Sequence, residues 1–238
     1  MSNISFYNIL ATDVRIREGL NACMNCGMCT AVCPAAGFFE YDPRSIAITV
    51  QSGNEENIRS LLESDTIWYC GQCMSCKTRC PRNNCPGLII SALRKVAQET
   101  GLFVKSKFGQ QQFLITQTIG KNILKFGYCI HPTSVNPATH PEQGPVWQWV
   151  YNNMKTVYET VGANLDGDGA GAMRKIPDED LDELKEIFNI SGGTALIEKI
   201  EKYSYDKAIE LGITDEKGHP DMEKYAAYLN NETNRHEE

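Results

Sequence analysis

Eight of the ten cysteines fall into two copies of one spacing. Cys23, Cys26, Cys29 and Cys33 form a C-x2-C-x2-C-x3-C run followed by Pro34, and Cys70, Cys73, Cys76 and Cys80 repeat it before Pro81. Thiolates at i, i+3 and i+6 on a tight loop reach three corners of a cubane iron–sulfur cluster. The fourth corner lies beyond that loop, and in paired [4Fe–4S] clusters it is filled by the last cysteine of the other run. The spacing therefore assigns Cys23, Cys26, Cys29 and Cys80 to one cluster, and Cys70, Cys73, Cys76 and Cys33 to the second. Such crossing makes metal binding part of folding. Pro34 and Pro81 lack a backbone N–H and have a fixed φ, so each turns the chain just past a crossing ligand. Disulfide frameworks belong to oxidising compartments and short cysteine-dense chains, and structural zinc commonly takes paired C-x2-C elements. Two triple-spaced runs in a 238-residue chain fit neither pattern.

The elements that must hold these runs read as helices. Residues 1–22 suggest a short strand or extended arm and then a helix capped by Asp13, with Val14, Ile16 and Leu20 apolar. Asn21 to Phe39 carries no charged side chain, and Met24, Met28, Ala31 and Val32 are expected to sheathe the first cluster. Asp42-Pro43 starts a helix that Gly53 ends, and Asn54 caps a second through about Ser64. Helical connectors between the runs imply an all-α domain holding both clusters. Cys85-Pro86 opens a helix to about Thr100, with Gly101 as its stop. Cys85 is expected to be a buried structural thiol, since the eight ligand positions are already filled, and free cysteine is commonly buried.

Beyond the second run the chain carries no comparable motif. Residues 104–126 read as one long helix striped by Phe108, Ile115, Ile119, Ile123 and Phe126, closed by Gly127. Cys129 is expected to be buried and inert. The segment 131–145, with its prolines, reads as an extended connector lying on a partner, and His131 and His140 lack the neighbours of a metal site. Further helices are expected over 146–161, from Pro177-Asp178, from a Thr194 cap to Leu211, and from Pro220 to about Leu229, with a disordered tail from Asn230. Asp166-x-Asp168 with Gly171 resembles a calcium loop, but Ala170 and Pro177 stand where two oxygen ligands are required, so calcium is rejected. The expected domains are 1–104 with the clusters, 105–130 as a packing helix, 131–145 as connector and 146–238 as a helical extension for subunit docking.

A net charge of −7 gives no nucleic-acid footprint. No apolar run is long enough to span a bilayer, and the N-terminus lacks a signal peptide's pattern. A cytoplasmic chain is therefore expected, with membrane association only through partners. No nucleotide-binding fingerprint or P-loop is present, and no catalytic residue is identified; the residues offer an electron relay. Lys77, Arg79 and Arg82 flank the second run, while the first has no basic neighbour before Arg44. Positive charge favours the reduced cluster, so the second cluster is expected to have the higher potential.

From Cys23 to Gly101 the sequence resembles the C-type subunit of heterodisulfide reductase. The resemblance is carried by the two runs, the DPRSI helix start, ESDTIWYCGQCMSCKTRCPR and the PGLIISALRK helix. It implies an α-helical ferredoxin fold with two [4Fe–4S] clusters on the eight cysteines. It also implies a flavin-containing A-type subunit and a B-type subunit whose Cys-Cys-Gly sequences hold the active-site clusters. This chain has no Cys-Cys pair, which places catalysis on a partner. The extension with GPVWQWVYNN is similar to the C-type subunit of the heterodisulfide-reductase-like complex of sulfur-oxidising bacteria. That likeness implies oxidation of sulfane sulfur delivered on a lipoate-binding carrier. Two alternatives stay open: the iron–sulfur subunit of a quinone-linked respiratory complex, and a structural or redox-sensing scaffold without turnover.

Overall fold

The computed structural model describes residues 5–138, 140 and 143–233. It is helical, with no β-strand among the described residues beyond one isolated bridge between Thr214 and Pro220. The chain divides into two compact units, Met1–Gln110 and Gln111–Glu238.

In the first unit, α1 (Phe6–Thr12) replaces the expected extended arm, and α2 (Val14–Gly19) is the expected helix capped by Asp13. The reason is local capping. The Ser5 hydroxyl accepts from Asn8 N–H (3.2 Å) and Asp13 accepts from Arg15 N–H (2.9 Å). Residues 1–4 of the expected arm lie outside the described residues. The short α3 (Met28–Ala31) sits inside the first cysteine run. Next come α4 (Pro43–Ser52), opened by Asp42 and Pro43 and closed by left-handed Gly53, and α5 (Glu55–Glu63), capped by Asn54. α6 (Ser75–Arg79) is the second run's counterpart of α3, and the two pack on each other.

The unit is built around α7 (Pro86–Thr100). Its Ile89, Ile90, Ala92, Leu93 and Ala97 are fully buried, and α1, α2, α4, α5 and α6 all pack against it. Burying side chains of this size contributes roughly 1.5–3 kcal/mol each for the larger ones, so α7 is the platform to which both ligand loops are anchored. Cys85, at its N-terminus, is buried as expected.

The stretch expected as one helix over 104–126 is interrupted. It comprises a 3-10 turn, α8 (Lys107–Gln110), α9 (Gln112–Ile115), a π-helical turn over Thr116–Gly120 and α10 (Lys121–Phe126), with left-handed Gly127 as its stop. Ile115 and Ile119, two members of the proposed stripe, are exposed.

In the second unit, the helix expected over 146–161 is split at Asn153 into α11 (Gly144–Asn152) and α12 (Met154–Thr160). α13 (Asp178–Ile190) begins after Pro177 as expected, with Leu181 buried. α14 (Gly193–Glu210) starts from left-handed Gly192 rather than from a Thr194 cap. α15 (Met222–Thr233) extends past Leu229, so the start of the expected disordered tail is helical, while 234–238 lie outside the described residues. Phe113, Ala208, Tyr225 and Leu229 form this unit's buried cluster.

The connector expected over 131–145 contains a 3-10 turn at Pro132–Ser134, and its residues 139, 141 and 142 lie outside the described residues. His131 is buried rather than displayed on an arm. It stacks on Phe126 (4.0 Å between ring centres) and lies within 3.1 Å of Asp166. Asp166 thus fastens the glycine-rich loop, which also closes on itself through Asn164 Nδ2 donating to the carbonyls of Asp168 (2.7 Å) and Ala170 (3.1 Å). Cys129 is exposed, contrary to expectation, because Gly127 turns the chain away from α10 before it.

Candidate metal centre

The two cysteine runs share a backbone pattern. Asn25 and Gly27 in the first, and Gln72 and Met74 in the second, all have positive φ. Left-handed turns at these paired positions curl each loop so that its cysteines face inward. Backbone N–H groups in such turns can address sulfur, and Gln72 N–H donates to Cys70 Sγ (3.4 Å). In the second run this geometry is imposed on a methionine, a conformation disfavoured by roughly 1–2 kcal/mol for a residue with a side chain. The Met74 sulfur meets the Cys85 thiol at 3.5 Å, which fixes the side chain against the start of α7.

The end of the second run is bonded to the chain just ahead of the first. Cys85 N–H donates to the Gly19 carbonyl (2.8 Å). Asn21 N–H donates to the Asn84 side chain, and Arg82 Nε donates to the Ala22 carbonyl (3.3 Å). These bonds carry the tail of the second run to the head of the first.

Two cavities result. One is lined by Cys23, Cys26, Cys29 and Cys80, with Arg44 and Arg82 at its wall. The other is lined by Cys70, Cys73, Cys76 and Cys33, with Tyr41 and Tyr69. Each cavity thus takes three cysteines from one run and the last cysteine of the other. All are free thiols. Four sulfurs lining one cavity, three from one run and the fourth from the other, are the donor set of a [4Fe–4S] cubane gripped at its corners. A second observation points the same way: the Tyr41 hydroxyl is buried at the wall of the second cavity with no hydrogen-bond partner. The residues present therefore fit a [4Fe–4S] group.

The thiols differ in environment. Burial pushes Cys76 up to about 11 and also raises Cys29, while the Ser75 hydroxyl beside Cys73 lowers that thiol. Cys26 and Cys73 are the exposed members of their cavities. Met24 and Met28 are exposed too, so the expected apolar sheath does not close over the first cavity. With Asn25 and Gly27 turned left-handed, that loop faces solvent.

The cations are arranged otherwise than the sequence suggests. Lys77 and Arg79 are exposed, and Arg82 lines the first cavity rather than the second. Arg44, also at the first cavity, is paired with Asp42 (2.7 Å). The cation behind the second cavity is Arg94 of α7. Its guanidinium donates to the carbonyls of Ile67 (2.7 Å), Trp68 (3.0 Å) and Cys70 (2.7 Å). No carboxylate pairs with it among the described residues. Tyr41 belongs to no motif, and Arg94, though it lies within the PGLIISALRK stretch, has no role assigned to it by the sequence. Arg94 occupies an ordinary polar position of an amphipathic helix, and Tyr41 is one aromatic among several near Asp42-Pro43.

Residues 14–84 match the model of a family described as a 4Fe-4S dicluster domain. The C-type subunit of the ferredoxin:CoB-CoM heterodisulfide reductase of Methanosarcina acetivorans is 51% identical over 87 residues, 37% of this chain and 34% of that protein. An iron-sulfur C-type subunit of the CoB-CoM heterodisulfide reductase of Methanocaldococcus jannaschii is 31% identical over 115 residues, 48% of this chain and 55% of that protein. A protein of Archaeoglobus profundus, named as similar to the C-type subunit of heterodisulfide reductase, is 34% identical over 84 residues, 34% of this chain and 43% of that protein. The chain spans between about a third and just over half the length of these relatives. Through this part of its length the chain is similar to C-type subunits of heterodisulfide reductase, and its residues 14–84 match a 4Fe-4S dicluster domain.

Proposed function

We propose that the chain is the electron-transfer subunit of a heterodisulfide-reductase-like complex and carries two [4Fe–4S] clusters. Cys23, Cys26, Cys29 and Cys80 hold the first, and Cys70, Cys73, Cys76 and Cys33 hold the second. The observation that carries this reading is the composition of the two cavities, each closed by a cysteine from the other run. Bound clusters supply one-electron redox chemistry. The chain's part is to hold the pair side by side, keep their inner faces dry against α7 and leave an edge of each open at Cys26 and Cys73.

The partners are a flavin-containing A-type subunit and a B-type subunit with Cys-Cys-Gly sequences, between which electrons pass. This follows from the likeness to C-type subunits and from the absence of any Cys-Cys pair here. The setting is sulfane-sulfur oxidation with a lipoate-binding carrier reached through the complex. The support for that setting is the likeness of the extension with GPVWQWVYNN to the C-type subunit of the heterodisulfide-reductase-like complex of sulfur-oxidising bacteria. No helix among the described residues is long and apolar enough to cross a membrane.

Anaerobic purification with metal analysis tests the reading. About eight irons per chain are expected, four for each cubane, with flavin and Cys-Cys-Gly subunits co-purifying. Zinc in place of iron, or a membrane cytochrome as the co-purifying partner, would contradict it.

A further inference from the structure

The second cavity has a hydrogen-bond donor waiting at its wall. Tyr41 is 5% exposed and its hydroxyl meets no acceptor. Burying a hydroxyl without a partner is unfavourable, so the position calls for an acceptor that the polypeptide does not provide. Tyr69 meets the Tyr41 ring edge-on (6.2 Å) and is itself stacked on Phe39 (4.3 Å), so the ring has little freedom to turn away. The candidate is Cys70, which lines the same cavity and whose thiol acts on the hydroxyl without completing a hydrogen bond. A protonated thiol is a weak acceptor, whereas an iron-bound thiolate carries negative charge and accepts well.

The first cavity has no equivalent orphan: the hydroxyl beside Cys29, that of Thr30, already donates to Asp42. The cations differ in the same sense. Arg94 is half-buried, has no carboxylate partner among the described residues and grips the Cys70 carbonyl. At the first cavity Arg44 is paired with Asp42, and Arg82, though it lines the cavity, is exposed, so water screens its charge more than that of half-buried Arg94.

We propose that Tyr41 Oη donates a hydrogen bond to Cys70 Sγ when iron is bound there. With the charge of Arg94 behind the same cysteine, this bond makes the cluster of Cys70, Cys73, Cys76 and Cys33 the more easily reduced of the two. The inference rests on the ligand assignment proposed above. Hydrogen bonds to ligand sulfur and nearby positive charge both stabilise the added electron. Tyr41 is a positioning and tuning residue for electron flow, and the second cluster becomes the site where an arriving electron settles first.

The test uses the full chain, purified without air and shown to hold its iron, as wild type and as Tyr41→Phe. An EPR-monitored redox titration reads both midpoints. Pulsed EPR after exchange into deuterated water reads exchangeable protons at each cluster. In Tyr41→Phe the more easily reduced signal is expected to move to lower potential by about 59 mV, a tenfold change in its reduction equilibrium, while the other signal stays. One exchangeable coupling on that signal disappears with the hydroxyl, while that of the Gln72 N–H, which also meets Cys70 Sγ, stays. Unchanged midpoints, or a shift confined to the less easily reduced signal, would overturn the proposal. Should Tyr41→Phe fail to hold iron, wild type decides: absence of any exchangeable proton coupling specific to the more easily reduced cluster overturns it. A wild-type chain without iron would instead defeat the ligand assignment itself, so the two failures are distinguishable.

Discussion

The Cys85 N–H donates to the carbonyl of Gly19 at 2.8 Å. Gly19 ends α2 immediately before the first cysteine run, and Cys85 opens α7 shortly after the second. This contact closes the loop of chain that contains both runs. It is tight: a Cβ on Gly19 would lie 3.0 Å from Leu88 Cβ and 3.1 Å from the Cys85 carbonyl oxygen, closer than such contacts usually are, so α2 and α7 would have to give by a few tenths of an ångström.

Gly19→Ala is therefore expected to cost about 1–3 kcal/mol through overpacking and to loosen iron at both cavities. Thermal unfolding together with iron retention after dilution checks this. Gly37→Ala is the control, because nothing lies within 4 Å of the added methyl group, and it is expected to leave both readings unchanged.

Arg94→Met removes the donor to the Ile67, Trp68 and Cys70 carbonyls. Losing charged hydrogen bonds to buried backbone costs about 3 kcal/mol. The segment that leads into Cys70 is the part released, so the cluster of the second cavity is expected to be lost in preference to the first. Iron analysis with EPR of the reduced variant reads which signal is missing.

Glu55 ties α5 to the head of α1. Its carboxylate accepts from the Ser5 hydroxyl (2.5 Å), from Phe6 N–H (2.8 Å) and from Tyr7 N–H (3.2 Å). The Ser5 hydrogen bond, with the backbone N–H groups, holds the carboxyl below its ordinary value of 4.5. A carboxylate depressed in the folded state stabilises fully above the unfolded value. That contribution is lost as pH falls through the folded value. Glu55→Gln is expected to lower stability modestly, by about 1 kcal/mol, near neutral pH. The gap between variant and wild type should close below about pH 4.5. Parallel thermal scans across that range measure it.

Much of the ligand architecture is legible in the sequence because it is written in local spacing. The two cysteine runs, the Asp42-Pro43 start, the Gly53 stop and the Asn54 cap each depend on residues within a turn of one another. The residues that tune the site are not legible. Arg94 and Tyr41 matter because α7 and the loop before α4 fold onto the same cysteine, a relationship between distant positions that no local pattern carries. The first helix is hidden for a related reason. Phe6 and Leu10 are buried four residues apart, but the segment is short, and its Ser5 cap is supported by Glu55 from another helix. Cys129 departs from cysteine's usual burial because it sits just past a left-handed glycine. The interruptions at Gln111, Thr116–Gly120 and Asn153 break runs whose apolar periodicity alone reads as continuous helix.

The crossed ligand sets are the centre of the account, and single-cysteine variants test them most directly. EPR spectra of reduced Cys33→Ser, Cys80→Ser, Cys26→Ser and Cys73→Ser, each purified without air, show which cluster signal each substitution alters. The account predicts that Cys33→Ser alters the same signal as Cys73→Ser, and that Cys80→Ser alters the same signal as Cys26→Ser. Spectra that pair Cys33 with Cys26 and Cys80 with Cys73 would mean that each run holds its own cluster, and would contradict it.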